Sequence, residues 1–447
     1  MSAANIHKNL LTKEYLHQLF KDSMDRKSSA GRDGVKIDQF KFNLDREIDT
    51  AYRKVKAGTY EFTSYREKLI SKGAGLKPRQ ISIPTIRDKL VLKFLSALLL
   101  EIYPECQLPP PHKFIKDIHK ESLASKTADH YLRLDVKNFY GTIDHAVLMR
   151  KLRRKIRKTQ ILHLIQNAIQ TPTGTKKSLG VKNSMGVPQG LSISNILASI
   201  YMIDADERFS ATKDISYFRF VDDILAIGSH EAIEQQANEI PNFLKSELKI
   251  CCHPLGSNDK SIMISTNEGI SYLGYHFCKQ NIKVRETSYK KMFERLMKLF
   301  TQFKYHRNVE WLIWRLNLKI SGCIIKERRI GWMFFFSQTN NMRQLKRLDY
   351  FVQQNAKKIL SEQDKKRVKS FHRAFYEIRN EPESIYYVNF DDLDFDQKKN
   401  LLKEQLPPIQ TKDLDSKNDE DVELMFARFV QRETAELERD VFSAIPS

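Results

Sequence analysis

Tyr217-Phe218-Arg219-Phe220-Val221-Asp222-Asp223-Ile224-Leu225-Ala226-Ile227-Gly228 sets two short apolar, aromatic-rich runs on either side of two adjacent acids. So little chain separates the runs that the pattern predicts a tight β-hairpin, with Asp222 and Asp223 at or beside its turn. Carboxylates at a hairpin tip between core-facing strands suit a hard cation that prefers oxygen. Turn chemistry alone also explains an Asp pair, because Asp is a favoured turn residue. The stretch therefore takes its meaning from what accompanies it.

Two further stretches belong with the acids. In Tyr131-Leu132-Arg133-Leu134-Asp135-Val136, the residues Leu132, Leu134 and Val136 alternate onto one face and leave Tyr131, Arg133 and Asp135 on the other. This acid at a strand end is followed by the aromatic pair Phe139-Tyr140 and by Asp144, a residue suited to cap a helix. The helix is expected over 147–158, with Val147, Leu148, Leu152 and Ile156 inward. Arg150, Lys151, Arg153, Arg154, Lys155, Arg157 and Lys158 cover the remainder, more bases than solubility demands, and read as a surface for phosphate backbone. The loop 184–195, punctuated by Gly186, Pro188 and Gly190, leads into another helix with Ile193, Leu197, Ile200 and Ile203 in register. Ser194 and Ala198 give that helix a small face, the glycines let backbone lie close to a ligand, and Gln189 suits a sugar or base.

Nearer the N-terminus, 66–70 and 79–83 read as strands joined by the flexible turn 71–75. Lys77 and Arg79 share one face of that hairpin, where ammonium and forked guanidinium suit a triphosphate. An edge strand charged against aggregation looks the same. The run 88–103 is an apolar helix that needs no functional explanation.

The 447 residues carry 75 Lys and Arg against 55 Asp and Glu, a formal charge of +20, with 41% hydrophobic residues. A folded, strongly basic chain favours a polyanionic partner, nucleic acid before membrane. The charge is uneven, because residues 381–447 hold 17 acids and 8 bases while residues 1–380 carry +29. No leader or membrane span is apparent, and the five cysteines suit a reducing cytoplasm better than a disulfide framework. Cys251, Cys252 and His253, with His276 and Cys278, match no familiar zinc spacing and read as core filling.

Taken in order, these stretches resemble the palm of reverse transcriptases. Asp135 with Tyr140 is similar to the first palm motif, 184–195 to the second, and Phe220-Val221-Asp222-Asp223 to the aromatic-x-Asp-Asp box. Asn258-Asp259-Lys260-Ser261 resembles the lysine-bearing fourth motif, and Tyr272-Leu273-Gly274-Tyr275 the primer-grip hairpin. Segments 31–40 and 77–89 resemble fingers motifs, and 330–335 with 345–349 the thumb of group II intron-like enzymes. A series of motifs in order carries weight that one alone lacks. The flavour is similar to the Abi and unknown-group lineage of defence-associated bacterial enzymes, which are related to group II intron and retron reverse transcriptases. Asn195 stands where a proline is usual, and Phe220 where tyrosine is commoner.

The resemblance implies an α+β right-hand polymerase fold. The expected divisions are an N-terminal segment and fingers (1–130), a palm (131–280, with a fingers insertion over 145–182), a helical thumb (281–375) and an acidic, mostly helical extension (376–447). It implies RNA-directed DNA synthesis onto a 3′-hydroxyl, with two Mg²⁺ ions (Mn²⁺ as a substitute) about 3.5–4 Å apart. Asp135, Asp222, Asp223 and the Val136 carbonyl would hold the metal, and Lys260 would protonate or neutralise the leaving pyrophosphate. Lys77, Arg79, Phe139, Tyr140 and Gln189 would bind the dNTP, with Tyr140 as the steric gate against a 2′-hydroxyl. Gly186, Pro188, Tyr272, Leu273 and Gly274 would contact primer and template. The implied partner is a dedicated noncoding RNA and its RNA–DNA hybrid product, copied in anti-phage defence. Template-independent or protein-primed synthesis, a retron-type enzyme and an inactive RNA-binding scaffold are the alternatives. The thumb bases Lys298, Lys304, Arg307, Arg315, Lys319, Lys326, Arg328 and Arg329 are expected on the hybrid, and Trp311, Trp314 and Trp332 in the core. The extension is expected to cover the basic groove, to mediate oligomerisation, to bind a partner protein, or to be a solvated appendage.

Overall fold

Strands form where alternation predicts them. In the computed structural model, β1 (Tyr65–Ile70) and β2 (Arg79–Ile83) pair antiparallel with Ile70 opposite Arg79. The structure describes all residues except 1–2, 25–28, 72–77, 110, 125–128, 176–180, 258–259, 280, 382, 407–410, 412–413 and 443–447. Most of the expected turn 71–75, together with Lys77, Asn258 and Asp259, therefore lies outside the described residues. The short β4 (Thr173–Gly174) extends the first sheet on the far side of β1.

The chain divides into two units, one of Met1–Leu108 with His130–Met263 and one of Pro109–Asp129 with Ile264–Ser447. This is coarser than the four divisions expected, and it gives 109–129 to the second unit. The first unit is built on a four-stranded sheet. Its strands are β3 (Asp129–Asp135), β5 (Ile215–Phe220), β6 (Asp223–Ser229) and β7 (Ile262–Ser265), in the order β5-β6-β3-β7. Leu132, Leu134, Ile224, Leu225 and Ala226 are buried. The apolar helix Ile86–Ile102 and the helices Ser194–Ser210 and His230–Leu248 contribute to the same core. Thr85 starts the first of these by accepting from the Asp88 N–H.

Asp144 caps the helix His145–Lys155, accepting from the Val147 N–H at 3.0 Å, as its residue type predicts. The single helix expected over 147–158 is two, however. Ile156 turns extended into the core, and a second helix, Thr159–Gln170, follows Lys158. Its bases are also less available than expected. Lys151 is buried against Asp204, Arg154 grips the same carboxylate, and Lys155 pairs with Glu105.

The second unit contains the meander β8 (Ile270–Tyr272), β9 (Tyr275–Cys278) and β10 (Asn281–Val284), and a small sheet of β11 (Cys323–Ile325), β12 (Arg328–Ile330) and β13 (Val388–Asn389). Among its helices are Glu286–His306, Val309–Ser321, Met342–Ala356, Phe371–Asn380, Phe395–Gln405 and Asp419–Phe442. Trp311 and Trp332 are buried, as expected. The acidic extension is no solvated appendage. Val422, Phe426, Phe429, Val430 and Leu437 are buried in one cluster with Leu318, Cys323 and Ile330, and Trp314 packs against it. No helix among the described residues is long and apolar enough to cross a membrane.

Candidate active site

Phe220 pairs with Asp223 across the β5–β6 hairpin, so Val221 and Asp222 make up its two-residue turn. Val221 sits at φ 59°, a left-handed conformation that a β-branched residue rarely adopts. Arg219 holds it there. The buried guanidinium donates from Nη1 to the Val221 carbonyl at 2.7 Å and from Nε to Asp206 Oδ1 at 2.7 Å, and Nη2 grips the other Asp206 oxygen. Asp206 belongs to Ser194–Ser210, so the helix after the glycine loop braces the acid turn.

The end of β3 meets this turn. The Val136 N–H donates to the Asp222 carbonyl at 3.2 Å, which brings Asp135 and Asp222 to one place although 86 residues of chain lie between them. The Asp135 backbone is tied on both sides, its N–H donating to Ser261 Oγ at 3.2 Å and its carbonyl accepting from the His253 N–H at 2.8 Å. Asp135 Oδ2 lies 3.6 Å from both Lys260 Nζ and His253 Nε2, which are 3.1 Å from each other. Burial first, then the Lys260 charge, lowers the His253 pKa. Lys260 thus stands beside the first acid, and His253, which the sequence reads as core filling, completes a triangle with the two.

Asp223, expected among the metal ligands, is engaged elsewhere. Both its oxygens accept from Arg133, at 2.8 Å each from Nε and Nη2. Burial pushes its pKa up to about 6 against the pull of Arg133, and the charges of Asp222 and Asp135 push the same way. The three acids therefore lie within electrostatic reach of one another, and one of them is already neutralised by the fold. Asp135, Asp222 and the Val136 carbonyl together offer an all-oxygen donor set of the kind Mg²⁺ uses alongside water and substrate phosphates. No group of three or more His, Cys, Asp or Glu side chains arranged to hold a metal occurs among the described residues.

The glycine loop lies beside both β2 and the turn after β3. Gln189 accepts through its carbonyl from the Ser82 N–H at 2.7 Å. Gly190, at φ 96°, comes so close to β2 that a Cβ there would meet Ile81 Cγ2 at 2.7 Å. Pro188 accepts from Ser194 Oγ, the Gly186 N–H donates to Ile143, and the Val187 N–H donates to Tyr140. Tyr140 is half-buried and feels the charges of Asp222 and Arg79. The structure thus gathers Asp135, Asp222, Asp223, Lys260, Tyr140 and Arg79 with the loop 186–190. Phe139, expected to contact nucleotide, is buried at 2% exposure beneath Tyr140 and is core. In the second unit, Leu273-Gly274 forms the turn of the β8–β9 hairpin that Tyr272 and Tyr275 close, but Tyr272 and Leu273 are buried, so their side chains serve packing there. No motif of the sequence marks the supporting residues Arg133, Arg219 and Asp206. For the two arginines, a base inside an otherwise apolar strand is the available signal.

Residues 70–277 match the family described as reverse transcriptase (RNA-dependent DNA polymerase). The chain is 31% identical over 182 residues to an uncharacterized 91 kDa protein in the cob intron of Schizosaccharomyces pombe, covering 39% of this chain and 21% of that one. It is 24% identical over 212 residues to the group II intron-encoded protein LtrA of Lactococcus lactis subsp. cremoris, covering 45% and 34% respectively. The chain therefore spans about a fifth and a third of the lengths of these relatives. A structure of telomerase from Candida albicans with a fragment of telomeric RNA aligns over 90% of this chain and 69% of that one, at 14% identity and a TM-score of 0.43. The α+β class and the acid-bearing four-stranded sheet agree with the match of residues 70–277 to a reverse transcriptase domain, which is distantly similar to those of group II intron-encoded proteins.

Proposed function

We propose that the protein is an RNA-directed DNA polymerase that adds dNTPs to a primer 3′-hydroxyl with Asp135 and Asp222 as its metal-binding acids. The observation that carries this reading is the junction of β3 with the hairpin turn, Val136 N–H to Asp222 carbonyl at 3.2 Å. Asp135, Asp222 and the Val136 carbonyl would hold two Mg²⁺ ions, which when bound activate the hydroxyl and neutralise the pyrophosphate. Asp223, paired with Arg133, positions the turn. Lys260 serves as proton donor or counter-charge to the leaving group, with His253 alongside it. Arg79, with Lys77, receives the triphosphate, Gln189 lies at the sugar side, and Tyr140 excludes a 2′-hydroxyl, which makes the product DNA. Gly186, Pro188 and the hairpin Tyr272-Leu273-Gly274 are assigned to primer and template.

The finer reading is that the protein copies a dedicated noncoding RNA in bacterial anti-phage defence. It is supported by the sequence resemblance to that lineage, including Asn195 in place of proline. Primer extension with single dNTPs on an RNA template, with Mg²⁺ or Mn²⁺, tests the activity. Asp222→Ala is expected to cut product by at least about 10³-fold, some 4 kcal/mol of barrier, while RNA stays bound. Undiminished product from that variant, or none from the unmodified chain, overturns the reading. Product without template would favour template-independent or protein-primed synthesis. Sequencing the nucleic acid that co-purifies identifies the template.

A further inference from the structure

Tyr140 is held at two points by the same short stretch of chain. Its carbonyl accepts from the Val187 N–H at 2.7 Å. Gly186, at φ 83°, allows that approach, since a Cβ there would come within 3.1 Å of the Tyr140 carbonyl. The backbone below the ring is therefore pinned. What remains free is rotation of the side chain, and the phenol closes that freedom by donating to Asn195 Oδ1 at 2.7 Å. Asn195 is exposed near the start of the helix Ser194–Ser210, and among the described residues its side-chain amide has no other hydrogen-bond partner. Buried Phe139 packs against Tyr140, with ring centroids 5.7 Å apart.

We propose that Asn195 is a positioning residue for sugar discrimination, fixing the Tyr140 ring at the angle that excludes a 2′-hydroxyl. The proposal rests on the polymerase reading above and deepens it. A ring that only sits in the right place can swing aside when a ribonucleotide enters. A ring tethered at its far end must break a hydrogen bond to do so, and that difference appears in selectivity before it appears in rate. The residue that replaces proline at this position is thus tied directly to the gate.

The test measures kcat/KM for a dNTP and the matching rNTP by single-nucleotide incorporation with the full chain. Variants are Tyr140→Ala, Tyr140→Phe, Asn195→Ala, Asn195→Asp and the double Tyr140→Phe/Asn195→Ala. Tyr140→Phe and Asn195→Ala each remove the same bond, so each should lower the dNTP preference by about fivefold, the worth of one neutral hydrogen bond. The double variant should lose no more than either single, and Asn195→Asp, which keeps an acceptor, should restore the preference. If Tyr140→Ala abolishes discrimination while Asn195→Ala and Tyr140→Phe leave it intact, the gate stands and the tether falls. Additive losses in the double variant also overturn the proposal. If Tyr140→Ala leaves discrimination unchanged, the gate fails, and if the unmodified chain incorporates nothing, the polymerase reading fails; either outcome sinks this proposal. Equal melting temperatures for Asn195→Ala and the unmodified chain would confirm that the change is local.

Discussion

Arg133 and Asp223 show how much one residue pair can decide at this site. Burial alone would drive Asp223 to shed its charge, and the two-pronged contact from Arg133 opposes that. Removing the base while leaving the acid is the expensive change, because it strands a carboxylate at 6% exposure. Arg133→Met is expected to destabilise the first unit by about 3 kcal/mol. Adding Asp223→Leu should recover most of that loss. Denaturant midpoints of the single and double variants measure both, and a single variant as stable as the parent would show that the pair is not needed. Arg133 shares a strand face with Asp135, as alternation predicts, but alternation does not say which acid it serves.

At the scale of elements, the site depends on a loop pressed against a strand. Gly190 lies at φ 96° with Ile81 within 2.7 Å of where its Cβ would stand. The Gln189 carbonyl next to it is the acceptor for the Ser82 N–H. Gly190→Ala meets both objections at once, strained backbone and a steric clash, and should cost about 2 kcal/mol. Because the loop also carries Val187 and leads to Asn195, nucleotide KM should rise with it. A Gly190→Ala variant with unchanged melting temperature and KM would mean that the loop can lift from β2 without consequence. The spacing of Gly186, Pro188 and Gly190 marked a loop, and only the packed strand shows why the last of these must lack a side chain.

The C-terminal helix Asp419–Phe442 contradicts the expectation that thumb bases are all free for nucleic acid. Glu433, at 3% exposure, accepts from Arg315 at 2.7 Å, Glu436 from Lys319 at 3.2 Å, and Glu438 from Arg328 at 3.2 Å. With Val422, Phe426, Phe429, Val430 and Leu437 also buried, at about 1.5–3 kcal/mol per side chain, the helix contributes on the scale of a whole domain's stability, about 5–15 kcal/mol. A chain ending at residue 418 should therefore have an unfolded or protease-sensitive second unit. Limited proteolysis decides this, and a stable, resistant fragment would restore the view of a detachable tail.

At the scale of the whole molecule, the basic excess of residues 1–380 and the acidic tail are partly spent on each other within the second unit, so net charge overstates the surface left for nucleic acid. The chain should also be acid-sensitive well above the carboxylate range. His7 is buried against Phe94, with Lys158 Nζ at 2.9 Å from Nδ1. Burial, aided by the Lys158 charge, takes its pKa from 6.5 down to about 4. The folded state thus favours the neutral ring, while the unfolded chain takes up a proton near pH 6.5. Stability from this group is complete above pH 6.5 and is lost as pH falls towards 4, by up to about 3 kcal/mol. Melting temperatures across pH 4–7 should show this slope, and His7→Gln should flatten it. An unchanged slope in that variant would assign the acid sensitivity to other groups.

The chain alone determined the strands β1, β2, β3, β5 and β6, the tight hairpin with its acids at or beside the turn, the Asp144 cap and the presence of Asp135, Asp222 and Lys260 beside glycine-rich and aromatic neighbours. Those features follow from periodicity and turn chemistry over a few residues, and local sequence records them. Which charges are already taken was decided only by the tertiary structure. Arg133 finds Asp223 across 90 residues, Tyr140 finds Asn195 across 55, and Arg315 finds Glu433 across 118. Each contact is set by how distant elements pack, and nothing in the local pattern of either partner names the other.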